Sequence, residues 1–93
     1  FPEGELRELG EGSILYPGFL NVHVHLEYSA NCSRLDYGDF MRWLDSVIRE
    51  RDTLVNEADD AVMEAACREM LRSGVTSFGA ISAFGADLEV CRR

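Results

Sequence analysis

The two histidines of this chain, His23 and His25, are the residues whose type and spacing most directly suggest chemistry. They are two positions apart in the run Tyr16–Glu27, whose Val, Leu and Phe content is typical of a buried β-strand. Side chains at positions i and i+2 of a strand point to the same face, about 6.5–7 Å apart along it. Two imidazoles on one face can reach a single metal ion through bonds of about 2.0–2.1 Å. His23 and His25 are therefore candidate metal ligands.

Two histidines do not complete a metal site. A catalytic zinc ion takes three protein ligands and a water molecule, and a structural one takes four protein ligands, so further ligands are required. Without a metal, the pair could instead be solvated or hydrogen-bonded in a core. The flanking residues favour the metal, because Pro17-Gly18 marks a turn before the strand. Val22, Val24 and Leu26 make the other face apolar, as in a parallel strand covered by helices on one side.

The elements that position this strand follow it in the sequence. An apolar stripe with helical spacing predicts a helix that begins at Asp39 and has Trp43 as its core anchor. We predict a second helix of about 17 residues, with Asn56 as its N-cap and Gly74 as its stop. The run 75–81 reads as a second strand. Strand, helices and strand form a βαβ unit, in which the two strands are parallel.

The composition excludes several classes of protein. The chain has 93 residues and a formal net charge of −8, and its basic residues are nine arginines that form no patch. Nucleic-acid binding requires clustered basic residues, so we expect no nucleic-acid partner. Cys32, Cys67 and Cys91 are an odd number without a CxxC pair, which favours reduced thiols in a cytoplasmic protein. No apolar run is long enough to span a membrane, and we expect no membrane partner.

The run Pro17–Glu27 resembles the first barrel strand of the amidohydrolase superfamily, whose pattern is PGxxxxHxH. Within that superfamily it is similar to the branch of chlorohydrolases and nucleobase deaminases. The sequence that follows is similar to the aminofutalosine deaminases of menaquinone biosynthesis. The segments that carry this similarity are Glu27-Tyr28-Ser29, Tyr37–Phe40, Trp43–Ile48, Arg51-Asp52, Ser73–Ser77 and Gly79–Ser82.

The resemblance implies an α/β fold that is the amino-terminal fragment of a (β/α)₈ TIM barrel. Residues 1–16 would belong to a small β-sandwich, and residues 17–93 would form the first βαβ unit of an incomplete barrel. Loops that follow barrel strands lie at the catalytic face, so Glu27 and Tyr28 are candidates for substrate contacts. They could equally be ordinary polar loop residues. The implied cofactor is a divalent metal, zinc with iron as the alternative.

The resemblance also implies a reaction, the hydrolytic deamination of an adenine-type ring, here 6-amino-6-deoxyfutalosine to futalosine. The later metal ligands and the proton-transferring carboxylate of this family are not in the chain, so we expect the chain alone to be inactive. We expect it to associate with the remainder of its protein or with itself, because strand and helix faces are left uncovered. Two alternatives remain. One is another amidohydrolase acting on a triazine, guanine or cytosine, and the other is a small metal-binding or interaction domain that uses both histidines with Cys32 or Glu27.

Overall fold

The computed structural model describes residues 4–93 and contains a parallel two-stranded sheet whose strands are connected through helices. Its elements, in chain order, are β1 (Phe19–Val24), a 3₁₀ turn (Leu26–Tyr28), α1 (Phe40–Glu57), α2 (Asp60–Arg72), β2 (Val75–Ala80) and α3 (Leu88–Cys91). The predicted βαβ unit with parallel strands is therefore confirmed.

Backbone hydrogen bonds join the two strands at both ends. The amide of Phe19 donates to the carbonyl of Gly74 at 2.8 Å, and the amide of Ile81 donates to the carbonyl of Val24 at 2.7 Å. Gly74, which ends α2, has a φ of +89°, a conformation that glycine adopts at little cost. Because β1 and β2 are parallel, their carboxyl ends lie at the same edge of the sheet.

Helix α1 begins where the sequence predicts. The carboxylate of Asp39 accepts a hydrogen bond from the amide of Arg42 at 3.0 Å and caps the helix. Its buried face is formed by Val47 and Leu54, which pack with Leu35, while Trp43 lies half-buried against this cluster. Within residues 4–93, no helix combines the length and the hydrophobicity that crossing a bilayer requires.

The prediction that Asn56 caps the second helix is wrong. Asn56 lies in the last turn of α1, which continues to Glu57 because no glycine or proline interrupts that run. The N-cap of α2 is Asp59, whose carboxylate accepts a hydrogen bond from the amide of Val62 at 2.9 Å. Helix α2 therefore has 13 residues and is shorter than predicted.

A second apolar cluster lies below the carboxyl ends of the strands. Its fully buried members are Leu26 and Met63, each 1% exposed, and Val90 of α3 packs with them. Strand β1 itself does not show the burial that its apolar sequence predicts, since Leu20 is 64% and Val22 is 71% exposed. Residues 19–23 are all exposed, so neither face of this part of β1 is covered within the described residues.

The segment before β1 has little regular structure. Residues 4–18 contain a turn at 11–12, closed by a hydrogen bond from the amide of Ser13 to the carbonyl of Gly10 at 3.0 Å, and no helix or strand. Strands need partners, and none of the strand pieces predicted there forms within these described residues. The assignment of residues 1–16 to a β-sandwich stays a prediction, and residues 1–3 lie outside the described residues.

The cap of α2 gives a direct stability test. Asp59→Ala should lower the free energy of unfolding by about 1 kcal/mol, because the amide of Val62 loses its acceptor. Asn56→Ala is the matched control and should leave the free energy of unfolding unchanged or raise it by about 0.5 kcal/mol, since alanine is favoured over asparagine at an exposed helix position. Thermal or denaturant unfolding of the protein that carries this chain measures both values. A larger loss in Asn56→Ala than in Asp59→Ala would contradict the assignment of the cap.

Candidate metal centre

His23 and His25 lie on the same side of the chain at the carboxyl end of β1. The two Nε2 atoms are 3.0 Å apart, and the ring centroids are separated by 5.0 Å at an angle of 67°. His23 is the penultimate residue of the strand and is exposed, whereas His25 follows the strand and is half-buried. The shared face that the sequence predicts is therefore present, and the rings lean towards each other.

An irregularity in the strand pairing accompanies this arrangement. The register between β1 and β2 shifts between Asn21 and Val24, which is the stretch that contains His23. Opposite it, a Cβ atom on Gly79 would lie 3.0 Å from the carbonyl oxygen of Val22, so a larger residue would push the two strands apart by a few tenths of an ångström. Irregular pairing commonly redirects side chains near functional sites. Sequence reasoning did not single out Gly79, although a glycine inside a strand was the available signal.

The two imidazoles fit part of a metal site. Nitrogen atoms 3.0 Å apart can both lie about 2.1 Å from one ion, which is the usual zinc–nitrogen bond length. No group of three or more histidine, cysteine, aspartate or glutamate residues within residues 4–93 is arranged to hold a metal. His23 and His25 would thus supply two ligands, and the metal-binding role of both stays a prediction. Asn21 accepts a hydrogen bond from the backbone amide of His23 at 3.2 Å and so supports the strand locally.

Tyr28 lies directly beside the histidine pair. Its ring stacks on that of His25, with centroids 5.3 Å apart and an angle of 17° between the planes. The 3₁₀ turn creates this contact, because the amide of Tyr28 donates to the carbonyl of His25 at 3.1 Å. This geometry does not test whether Tyr28 contacts substrate. Tyr28 does follow the carboxyl end of β1, which is the end where a substrate contact is expected.

Glu27 lies between His25 and Tyr28 in sequence, but its side chain contacts a different part of the chain. Its side chain is buried, at 2% exposure, and its carboxylate is bound by the loop that follows β2. Oε1 accepts hydrogen bonds from the Ser82 hydroxyl at 2.9 Å and from the amides of Phe84 and Ala86 at 3.0 and 3.3 Å. Oε2 accepts from the amide of Ala83 at 2.9 Å. The predicted substrate contact of Glu27 stays a prediction, and the structure shows its carboxylate holding this loop.

The ionisation of Glu27 reflects two opposing effects. Burial raises the pKa of the carboxyl group, because a charge is less well solvated inside the protein. The hydrogen bonds from Ala83, Ser82, Phe84 and Ala86 stabilise the carboxylate and together outweigh burial, so the pKa lies below its usual value. Glu27 is therefore ionised at neutral pH. An ionised carboxylate has only acceptor sites, which suits its four hydrogen-bond donors.

The cysteines do not join the histidine pair within the described residues. Cys32 is exposed, and Cys67 is half-buried and packs against the cluster around Met63. Burial raises the pKa of the Cys67 thiol, and the charges of Cys91 and Glu64 add to this effect. Burial also raises the pKa of Cys91, as does the charge of Asp87. Neither of these two thiols has the lowered pKa of a nucleophile.

Comparison with protein families identifies a match over most of the chain. Residues 14–91 match the family described as "Amidohydrolase family". The chain is 49% identical over 84 residues to the aminodeoxyfutalosine deaminase of Nitratiruptor sp., which covers 90% of this chain and 21% of that protein. It is 42% identical over 72 residues to the adenosine deaminase of Helicobacter pylori, which covers 77% of this chain and 17% of that protein. The chain thus spans about a fifth of the length of these relatives.

A solved structure matches the fold as well as the sequence. The crystal structure of Helicobacter pylori aminofutalosine deaminase in complex with methylthio-coformycin superimposes with a TM-score of 0.74 at 34% sequence identity. The match covers 82% of this chain and 18% of that one. Together with the family match, it confirms the predicted fold class, a fragment of an amidohydrolase (β/α)₈ barrel.

Thiol alkylation tests whether Cys32 is a metal ligand. At about pH 8, iodoacetamide should modify Cys32 several-fold faster than Cys67 or Cys91, because it is exposed and the pKa values of the other two thiols are raised. Raising the pH should narrow this difference, as more of the Cys67 and Cys91 thiols ionise. Added Zn²⁺ should leave the rate at Cys32 unchanged, which mass spectrometry of the peptides would measure. Protection of Cys32 by zinc would show that Cys32 joins the histidine pair as a ligand and would favour the small metal-binding domain.

Proposed function

The chain belongs to the amidohydrolase family, and from this premise we propose that it is the amino-terminal part of a metal-dependent deaminase acting on an adenine-type ring. The observation that carries the proposal is the convergence of the two Nε2 atoms to 3.0 Å at the carboxyl end of β1. The two relatives reported above are named as deaminases, one of aminodeoxyfutalosine and one of adenosine, which supports a deamination here. The chain spans about a fifth of their length, so the activity belongs to the longer protein.

The proposed substrate is 6-amino-6-deoxyfutalosine, and the product is futalosine, an intermediate of menaquinone biosynthesis. The relative at 49% identity supports this choice, as does the solved aminofutalosine deaminase that shares the fold. We propose a cytoplasmic enzyme with a small nucleoside-like substrate and with neither nucleic-acid nor membrane partners.

The residues of this chain have distinct parts in the proposed reaction. His23 and His25 would each donate the Nε2 lone pair to a divalent ion, zinc or alternatively iron, with further ligands from segments outside residues 1–93. Such an ion supplies hydroxide at neutral pH by lowering the pKa of bound water. Hydrolysis replaces the amino group of the ring with oxygen and releases ammonia. Tyr28, stacked on His25, would contact the substrate at the edge of the pocket.

A panel of substrates tests the proposed activity. The longer protein should release ammonia from 6-amino-6-deoxyfutalosine with the highest kcat/KM, followed by adenosine. His23→Ala and His25→Ala should each reduce kcat/KM by more than about 100-fold and lower the metal content, because losing even the residues that support metal ligands costs 10–100-fold in metal affinity or activity. Ammonia release and elemental analysis measure the two effects.

Two comparisons make this test decisive. Cys32→Ser is the matched control and should keep wild-type metal content and activity, since Cys32 lies outside the histidine pair. Activity on guanine, cytosine or a chlorinated triazine, without activity on adenine nucleosides, would contradict the proposed substrate and favour another amidohydrolase of the same branch. Full metal binding in both histidine variants would refute the site.

The isolated 93-residue chain should release no ammonia from any of these substrates, because it holds only two of the proposed ligands. It should also self-associate or bind the remaining part of its protein, since Leu20, Val22 and Ile48 are each more than 60% exposed. Light scattering and an ammonia assay measure these two properties. A monodisperse monomer that binds zinc tightly at one equivalent would instead support a self-contained metal-binding domain.

A further inference from the structure

We infer that Glu27 is a positioning residue, which holds the loop Ser82–Ala86 against the carboxyl end of β1 and thereby shapes the substrate side of the site. This inference rests on the proposed function and adds to it a residue that acts through the loop. The sequence prediction gave Glu27 a direct contact with substrate. The geometry instead explains its side chain by four hydrogen bonds to groups that lie 55–59 positions later in the chain.

The loop is wrapped around the carboxylate. Three backbone amides of the loop, those of Ala83, Phe84 and Ala86, point at the two oxygen atoms of Glu27 at 2.9–3.3 Å. Ser82 donates its hydroxyl proton to Oε1 at 2.9 Å and accepts a hydrogen bond from the amide of Gly85 at 2.8 Å. The carboxylate thus accepts the hydrogen bonds that these loop amides would otherwise donate to water. Successive amides that converge on an anion are a recognised way to fix a loop.

A charged acceptor is needed at this position. All four partners are donors, and an ionised carboxylate offers only acceptor sites. A glutamine would present an NH₂ group to at least one of these donors and would leave it without an acceptor. Because Glu27 is 2% exposed, water cannot easily take the place of the lost bond. The shorter aspartate would not reach the same amides.

The position of the loop links it to the proposed chemistry. It follows β2, whose carboxyl end lies at the same edge of the sheet as His25 and Tyr28. The loop also carries Phe84, which is 55% exposed. The guanidinium carbon of Arg51 in α1 lies over the Phe84 ring, 5.6 Å from its centroid. Glu27 therefore holds the backbone that carries this ring at the same edge of the sheet as the histidine pair. Releasing the loop should weaken substrate binding more than the chemical step.

Hydrogen exchange of the metal-loaded longer enzyme tests the loop contact without reference to activity. In Glu27→Gln and Glu27→Ala, the amides of Ala83, Phe84 and Ala86 should exchange at least about tenfold faster than in wild type, since one charge-assisted hydrogen bond corresponds to a factor of ten or more. Ser82→Ala removes one donor, leaves the carboxylate in place and should give a smaller change in the same peptide. Glu57→Gln is the matched control, because the Glu57 carboxylate pairs with Arg34 and accepts no hydrogen bond from the loop within residues 4–93.

Kinetics distinguish positioning from general stability. Glu27→Gln should raise KM about tenfold and change kcat less, with metal content at the wild-type level. A purely structural defect would reduce the active fraction, and so lower kcat, without changing KM. Unchanged exchange of the loop amides in Glu27→Gln, or faster exchange with unchanged KM, would overturn the inference. If the wild-type enzyme deaminates no adenine-type substrate, the proposed function fails, and the exchange rates alone decide whether Glu27 holds the loop.

Discussion

The parallel pairing of β1 with β2 is the constraint on which the rest of this structure depends. A parallel pair cannot be closed by a tight turn, so α1 and α2 occupy the connection and bring the chain back to the start of the sheet. The carboxyl ends of both strands then lie at one edge. His25 and Tyr28 follow the first strand, and the loop that begins at Ser82 follows the second, so residues far apart in sequence meet there.

The contact between Glu27 and this loop shows how such an edge is stabilised. Burying a carboxylate is unfavourable unless hydrogen bonds replace its hydration. Here four donors do so, and the lowered pKa of Glu27 indicates that they outweigh the effect of burial. Glu27, two positions after the proposed ligand His25, therefore serves the architecture of the site, while its neighbour Tyr28 stacks on His25 itself.

Two features of the chain have the same physical origin. The proposed metal site has two nitrogen ligands where at least three protein ligands are usual, and β1 exposes apolar side chains such as Leu20 and Val22. Both are expected of one βαβ unit of a barrel, in which further helices cover the outer face of the sheet and further strands supply ligands from their carboxyl ends. The match to about a fifth of each relative agrees with this description.

The sequence alone determined the features that depend on short-range spacing. The two-residue period placed both histidines on one face, and the apolar stripe after Asp39 gave α1 with its cap. Spacing did not distinguish Asn56 from Asp59 as the cap of α2, because both are good capping residues and the end of α1 decides between them. Only the tertiary structure decided the environment of Glu27, since its donors are 55 or more positions away and no local pattern encodes them. The irregular pairing between Asn21 and Val24, beside Gly79, likewise appears only when both strands are in place.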